Sequence, residues 1–170
     1  EALSVTDDLT GLSNSRYLNL VLRREEKRSV RSGRPLSLLF IDMDGFKTVN
    51  TQHGHMAGSK ALVEVATVIR SCARETDVVA RFGGDEFSVI LPDTGRDGAL
   101  FVAERICDRI RSYRFLESDG LAVRLTAFLL RRLPLPLAVR LGRGLTWLLY
   151  RFDERHRRQV ASRIRMALGD

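Results

Sequence analysis

Arg81-Phe82-Gly83-Gly84-Asp85-Glu86-Phe87 and, upstream of it, Phe40-Ile41-Asp42-Met43-Asp44-Gly45-Phe46-Lys47 decide how this chain is read. Each stretch reads as a buried apolar strand that ends in acidic residues and glycine. The adjacent glycines Gly83 and Gly84 permit a tight hairpin with positive φ and leave no Cβ in the way of a ligand. Carboxylates on both sides of such a turn, facing a second acidic strand end, make a site for a hard, oxygen-loving cation. Where Mg²⁺ binds in this way, a nucleoside triphosphate is its usual companion.

Working outward, Ser13 or Asn14 is suited to cap a helix that runs to about Ser32, with Leu18, Leu20, Val21 and Leu22 as its apolar positions. Ser37–Ile41 is a continuous apolar run, as in a strand buried on both faces. One helix is expected from near Gly45 to before Gly54, and another from about Ala57 to Ala73. Val78–Phe82 and Phe87–Leu91 flank the glycine pair as a hairpin. Asp97–Tyr113 reads as a helix with Phe101, Ile106 and Ile110 on one face, and Leu121–Ala127 as a further strand. Strands alternating with helices, plus one hairpin, predict an α/β (α+β) fold: a central mixed sheet surrounded by helices.

The chain has 170 residues, enough for one domain or one domain with an appendage. Its net charge of +7 is unevenly spread. Residues 128–170 hold ten arginines, no lysine, and only Asp153, Glu154 and Asp170 as acids, so residues 1–127 are neutral. A nucleic-acid-binding protein spreads its charge over the folded face. No nucleic-acid partner is therefore expected, and the break near Ala127–Phe128 divides a core, 1–127, from a divergent basic helical tail, 128–170. Cys72 and Cys107 fall in apolar helical patterns and read as reduced core residues. No secretory segment opens the chain and arginines interrupt its richest apolar run, so a cytoplasmic location is expected.

The paired acidic strand ends resemble the GGDEF family, the nucleotidyl cyclases that make cyclic dinucleotides. Asp7-Asp8-Leu9-Thr10-Gly11-Leu12-Ser13-Asn14-Ser15-Arg16-Tyr17 resembles the family's opening motif, Asn50 through Ser59 its base-binding turn, and Arg74-Glu75-Thr76-Asp77 its RxxD inhibitory site. Order and spacing agree from about Asp7 to Ala127.

The resemblance implies Mg²⁺ (or Mn²⁺) on Asp42, Asp85 and the carbonyl of Met43. It implies that Asp85 and Glu86 help ionise a ribose 3′-hydroxyl, which attacks the α-phosphate of a second nucleotide. Asp44 shapes the turn or assists. Gly45, Phe46 and Lys47 would receive the β- and γ-phosphates through backbone amides and one ammonium, beside Gly83 and Gly84. Asn50 matches the residue that hydrogen-bonds guanine. Ser59 departs from the family, which commonly has Asp there. A buried carboxylate rejects adenine, whereas a hydroxyl can donate or accept. The resemblance thus narrows to a promiscuous subclass that takes GTP and ATP and makes 3′,3′-cyclic GMP-AMP as well as cyclic di-GMP. Arg74 and Asp77 would bind product. Because each subunit holds one nucleotide, a homodimer is implied, with an upstream regulator cut away.

After Ala127 the resemblance ends. Pro134 and Pro136 break any helix begun at Phe128, so helices are expected over 137–150 and 155–168. Two readings compete: Leu148-Leu149-Tyr150-Arg151 as a distant echo of the family's last helix, with Asp153 where its phosphate-binding lysine would stand, and, slightly favoured, Leu133–Asp170, which resembles the arginine-rich N-terminal segment of bacterial lipid A acyltransferases without their His-x4-Asp motif. Two rival functions follow: a GGDEF-like module that binds nucleotide or cyclic dinucleotide without turnover, and a peripheral membrane protein whose tail makes weak membrane-surface contact.

Overall fold

The structure, a computed structural model, describes residues 4–130. These all belong to the first of the two units into which the chain divides, Glu1–Pro134. The expected tail helices lie outside the described residues. Five strands and three α-helices follow in the order β1 (Ser13–Asn14), α1 (Ser15–Ser32), β2 (Ser37–Asp44), α2 (Phe46–Ser71), β3 (Val78–Gly83), β4 (Glu86–Leu91), α3 (Arg96–Ser112) and β5 (Thr126–Leu130). The sheet order is β1-β3-β4-β2-β5. Only β1 and β3 pair in parallel; the remaining pairs are antiparallel. The α/β expectation holds.

Strand alternation sorts the core. Leu39, Ile41, Val79, Phe87, Val89 and Leu91 point into one cluster with α2 and α3. Leu18, Val21, Leu36, Ala80 and Ile90 are also buried but lie outside that cluster, on the other face with α1. The α1 helix starts as expected, with the Asn14 side chain accepting from the Tyr17 amide, and stops at Gly33 with φ 70°.

Several expectations are corrected. Strand β2 runs to Asp44 rather than Ile41, so Asp42, Met43 and Asp44 are strand residues. The two helices expected around Gly54 abut as one element, α2, whose only non-helical residue is Gly54 at φ 84°, ψ 164°. Phe101 and Leu20 are 65% and 66% exposed rather than core residues. On α3 the buried stripe is Ala99, Val102, Ala103, Ile106 and Ile110, and Phe101 stands about a quarter turn off it. Cys72 is buried as read, but Cys107 is only half-buried; both are free thiols.

The last strand among the described residues is Thr126–Leu130, not Leu121–Ala127. Residues 113–125 instead fold back toward α2. Phe115 and Leu116 are fully buried there, the Leu116 amide donates to Glu64 Oε2 at 3.0 Å, and Lys60 pairs with Asp119 at 2.9 Å. Strand β5 pairs with β2 from Asp44↔Thr126 to Phe40↔Leu130, so regular pairing crosses the composition break at Ala127–Phe128.

Gly54 sits in a φ/ψ region that L side chains scarcely enter. Gly54→Ala is expected to lower stability by about 1–3 kcal/mol in chemical denaturation, although a Cβ there meets no atom within 4 Å. An unchanged midpoint would mean that the bend in α2 is not required.

Candidate functional site

Antiparallel pairing of β4 with both β2 and β3 makes β2 and β3 run the same way, so their C-terminal ends share one sheet edge. Asp42 and Glu86 are direct partners across β2 and β4, the last pair of that ladder. Met43 and Asp44 extend beyond it, and Gly84-Asp85 forms the turn alongside. The fold thus gathers Asp42, Met43, Asp44, Asp85 and Glu86 from two distant stretches. Asp85 is half-exposed and its carboxylate has no hydrogen bond or ion pair to the described residues.

Gly84 takes φ 53°, which favours glycine, but Gly83 does not take a positive φ. A Cβ built on either residue meets nothing within 4 Å, so both border open space. Gly83 thus leaves room rather than conformational freedom, and Gly84 supplies both.

Among the described residues no three His, Cys, Asp or Glu side chains converge to hold a metal. What this edge offers is carboxylate and main-chain oxygen, with no thiolate or imidazole. That set does not form an all-protein cage. It fits Mg²⁺ or Mn²⁺, which keep waters and substrate phosphates as ligands.

Gly45, at φ 81°, turns the chain from β2 into α2. The first-turn amides of Phe46 and Lys47 have no intrahelical acceptor. The Phe46 ring is buried at 9% exposure, so only its backbone is available to a ligand. The Lys47 side chain is exposed and has no partner among the described residues. Asn50 lies one turn further on. Across the Gly54 bend it lies against Gly58, whose chain neighbour is Ser59. Neither the Asn50 amide nor the Ser59 hydroxyl has a hydrogen-bond partner among the described residues. His53 and His55 are exposed nearby.

Arg74 and Asp77 are not part of this edge. They precede β3, whose six residues span about 20 Å to the hairpin. Asp77 is buried, and its Oδ2 accepts from the Arg74 amide at 2.8 Å. The Arg74 side chain is exposed. Arg105 reaches the carbonyl of Cys72, just ahead of that turn, and its buried Nε has no hydrogen-bond partner among the described residues.

The residues that hold the hairpin were not singled out from the sequence. Arg81 donates to the Gly84 carbonyl from Nε at 2.9 Å and from Nη2 at 2.8 Å. Its Nη1 donates to both oxygens of Asp7, at 3.2 and 3.3 Å. The Thr10 amide and hydroxyl donate to Asp7 Oδ1 at 2.9 and 2.7 Å. Burial alone would raise the pKa of Asp7, but the hydrogen bonds from Thr10 and Arg81 outweigh it and hold it below its ordinary value. The signal was an arginine two residues before Gly83 and an acid 74 residues earlier, too far apart for a local pattern.

With the geometry described, comparison with known proteins is direct. Residues 4–127 match the family model "Diguanylate cyclase, GGDEF domain". The chain belongs to the GGDEF family. Members of this family of diguanylate cyclases are nucleotidyltransferases. The chain is 43% identical over 118 residues to the response regulator PleD of Caulobacter vibrioides, covering 69% of this chain and 26% of that protein. It thus spans about a quarter of that relative's length. Diguanylate cyclase SiaD of Pseudomonas aeruginosa, solved with its activator SiaC, superposes with TM-score 0.73 and 37% identity, covering 86% of this chain and 57% of that one. The GGDEF domain of DgcB from Caulobacter crescentus, solved with c-di-GMP, gives TM-score 0.70 at 27% identity, over 76% of this GGDEF chain and 77% of DgcB's. Among the described residues no helix is long and apolar enough to cross a membrane.

Arg81→Ala removes four hydrogen bonds of a side chain only 15% exposed and is expected to lower stability by about 1–3 kcal/mol. The Asp7 contribution has a defined pH window. Its folded pKa is depressed, so the stability is present above the unfolded value near 3.8 and is lost as pH falls through the folded value. The gap between parent and Asp7→Asn in urea titrations should be constant from pH 5 to 7 and close in acid. A gap that widens in acid would show that the contact has the opposite linkage.

Proposed function

We propose that this domain condenses two nucleoside triphosphates into a cyclic dinucleotide, releasing pyrophosphate at each bond formed. The observation that supports it most is the Asp42↔Glu86 pairing beside an Asp85 that has no side-chain partner among the described residues, on an uncrowded glycine turn. Asp42, Asp85 and the Met43 carbonyl would hold Mg²⁺ or Mn²⁺, which when bound neutralises phosphate charge and favours the ribose alkoxide. The Phe46 and Lys47 amides, with the Lys47 ammonium, bind the β- and γ-phosphates. Glu86 and Asp85 accept the proton leaving the ribose 3′-hydroxyl. That oxygen attacks the α-phosphorus of the second nucleotide, and the bond to pyrophosphate breaks. The edge carries one nucleotide, so two domains must face each other as a homodimer.

Asn50 and Ser59 read the base. Serine in place of a carboxylate removes the penalty against adenine, so both GTP and ATP enter, giving 3′,3′-cyclic GMP-AMP beside cyclic di-GMP. The Arg74 turn is a separate product-binding site with Asp77 as its second member. The basic tail makes at most weak contact with a membrane surface, which liposome flotation with and without residues 128–170 tests. The composition break after Ala127 favours one alternative, binding without turnover; incubation of the purified chain with GTP, ATP and Mg²⁺ separates the two.

Asp85→Ala is expected to cut turnover by at least about a hundredfold while leaving the melting temperature unchanged, since the Asp85 side chain makes no hydrogen bond or ion pair to the described residues. Equal turnover would sink the assignment.

Ser59→Asp is expected to move products toward cyclic di-GMP. Its carboxylate accepts from guanine and faces no matching donors on adenine, a discrimination of roughly tenfold to a thousandfold. The measurement is competition between equal GTP and ATP, resolving the three cyclic products. A parent that makes only cyclic di-GMP would refute the broadened specificity.

A further inference from the structure

Gly58 lies within the second segment of α2, past the Gly54 bend, and has helical backbone geometry. It is not there for a left-handed φ. In a helix interior glycine weakens the element relative to alanine. Its presence is explained by space. A Cβ on Gly58 would stand 1.9 Å from Asn50 Oδ1, 2.9 Å from Asn50 Cγ and 3.2 Å from Phe46 Cζ. No other described glycine would bring a Cβ nearer than 3.0 Å to a neighbour. The volume of the missing methyl is filled by the end of the Asn50 side chain.

We infer that Gly58 is a positioning residue for purine recognition: it forms the seat that holds the Asn50 amide for the base edge of a bound nucleoside triphosphate. The inference rests on the reading of Asn50 as a base-binding residue. Nothing else fixes that amide, which makes no hydrogen bond to the described residues. Its place is set by shape. The buried Phe46 ring stands on one side, the Gly58 backbone lies beneath, and the Gly54 bend brings the two segments of α2 together. The steric argument holds with the amide in either orientation, since its two terminal atoms are of similar size. It also accounts for the pair Gly58-Ser59: the glycine seats one base-reading residue and the serine is the other.

The clash in Gly58→Ala falls on the tip of a short side chain, not on backbone. The amide should swing away while the helix stays. Gly58→Ala should therefore melt no lower than the parent. Its affinity for GTP with Mg²⁺, by calorimetry, should fall roughly five- to tenfold, the worth of one base hydrogen bond. In turnover the loss should appear in KM with little change in kcat. The Asn50 side-chain amide resonances, assigned by their disappearance in Asn50→Ala, should shift in Gly58→Ala. In the Asn50→Ala background, adding Gly58→Ala should cost no further affinity.

Parent-like GTP affinity in Gly58→Ala, or losses that multiply in the double variant, would overturn the inference. A Gly58→Ala chain that fails to fold is decided by the double variant: recovery of folding assigns the clash to Asn50 and supports the seat, whereas continued failure assigns the space to helix packing and refutes it. A parent that binds neither GTP nor ATP removes the recognition role together with the reading it rests on. The amide resonances then still report the seat, and unmoved signals refute that as well.

Discussion

The Arg81 guanidinium is the constraint on which the acidic edge depends. A two-residue turn between strands leaves the Gly84 carbonyl pointing outward, and an open carbonyl beside two acids has few reasons to stay in one place. Arg81 binds it twice, at 2.9 and 2.8 Å, and anchors itself on Asp7. The opening motif is thereby explained by physics rather than by likeness. Thr10 fixes the Asp7 carboxylate through two hydrogen bonds, Asp7 fixes Arg81, and Arg81 fixes the turn that carries Asp85. Charge balance adds to the effect. The guanidinium is committed to Asp7 and the backbone, so it orders the turn without neutralising Asp85. In the role proposed for Asp85, a cation ligand, the carboxylate must be held in place without being paired, and holding the backbone rather than the side chain achieves that.

The second constraint is the bend in α2. A straight helix would put Asn50 and Gly58 eight residues and about 12 Å apart along the axis. Gly54 breaks the helical path without inserting a loop, so the two segments fold toward each other. The first segment begins at the sheet edge, directly after Asp44, and therefore carries Lys47 and Asn50 outward from the acids in chain order. The positions proposed to bind phosphate and read the base thus both belong to one short helix attached to one strand end.

Much of this was legible because it is local. The glycine turn at Gly84, capping at Asn14 and the apolar runs of β2 and β4 are written in adjacent residues. What escaped was set at long range. The apolar character of Phe101 suggested burial, but the sheet selects the stripe one position over and leaves Phe101 against Arg105. Leu121–Val123 looks like a strand, yet Val123 forms only an isolated bridge to Phe115, and burial of Leu116 against α2 wins. The composition break after Ala127 misplaced the end of regular pairing because β5 needs only backbone groups to continue along β2.

Arg74-Glu75-Thr76-Asp77 shows why a motif should be weighed one residue at a time. Its two defining members have different circumstances. Asp77 is buried, and one of its oxygens accepts from the Arg74 amide, closing the turn between α2 and β3. That turn would need an acid at this position whether or not any ligand bound. Asp77 is therefore weak support for a binding site, because folding alone accounts for it. Arg74 is different. Its backbone serves the same turn, but any residue except proline could supply that amide. Its side chain stays exposed, costs entropy to order, and stabilises nothing described. What an arginine adds over another residue at position 74 is thus a guanidinium presented to solvent. The proposal of an anionic ligand at this end of the sheet therefore rests on that one side chain, and the matching aspartate adds little to it.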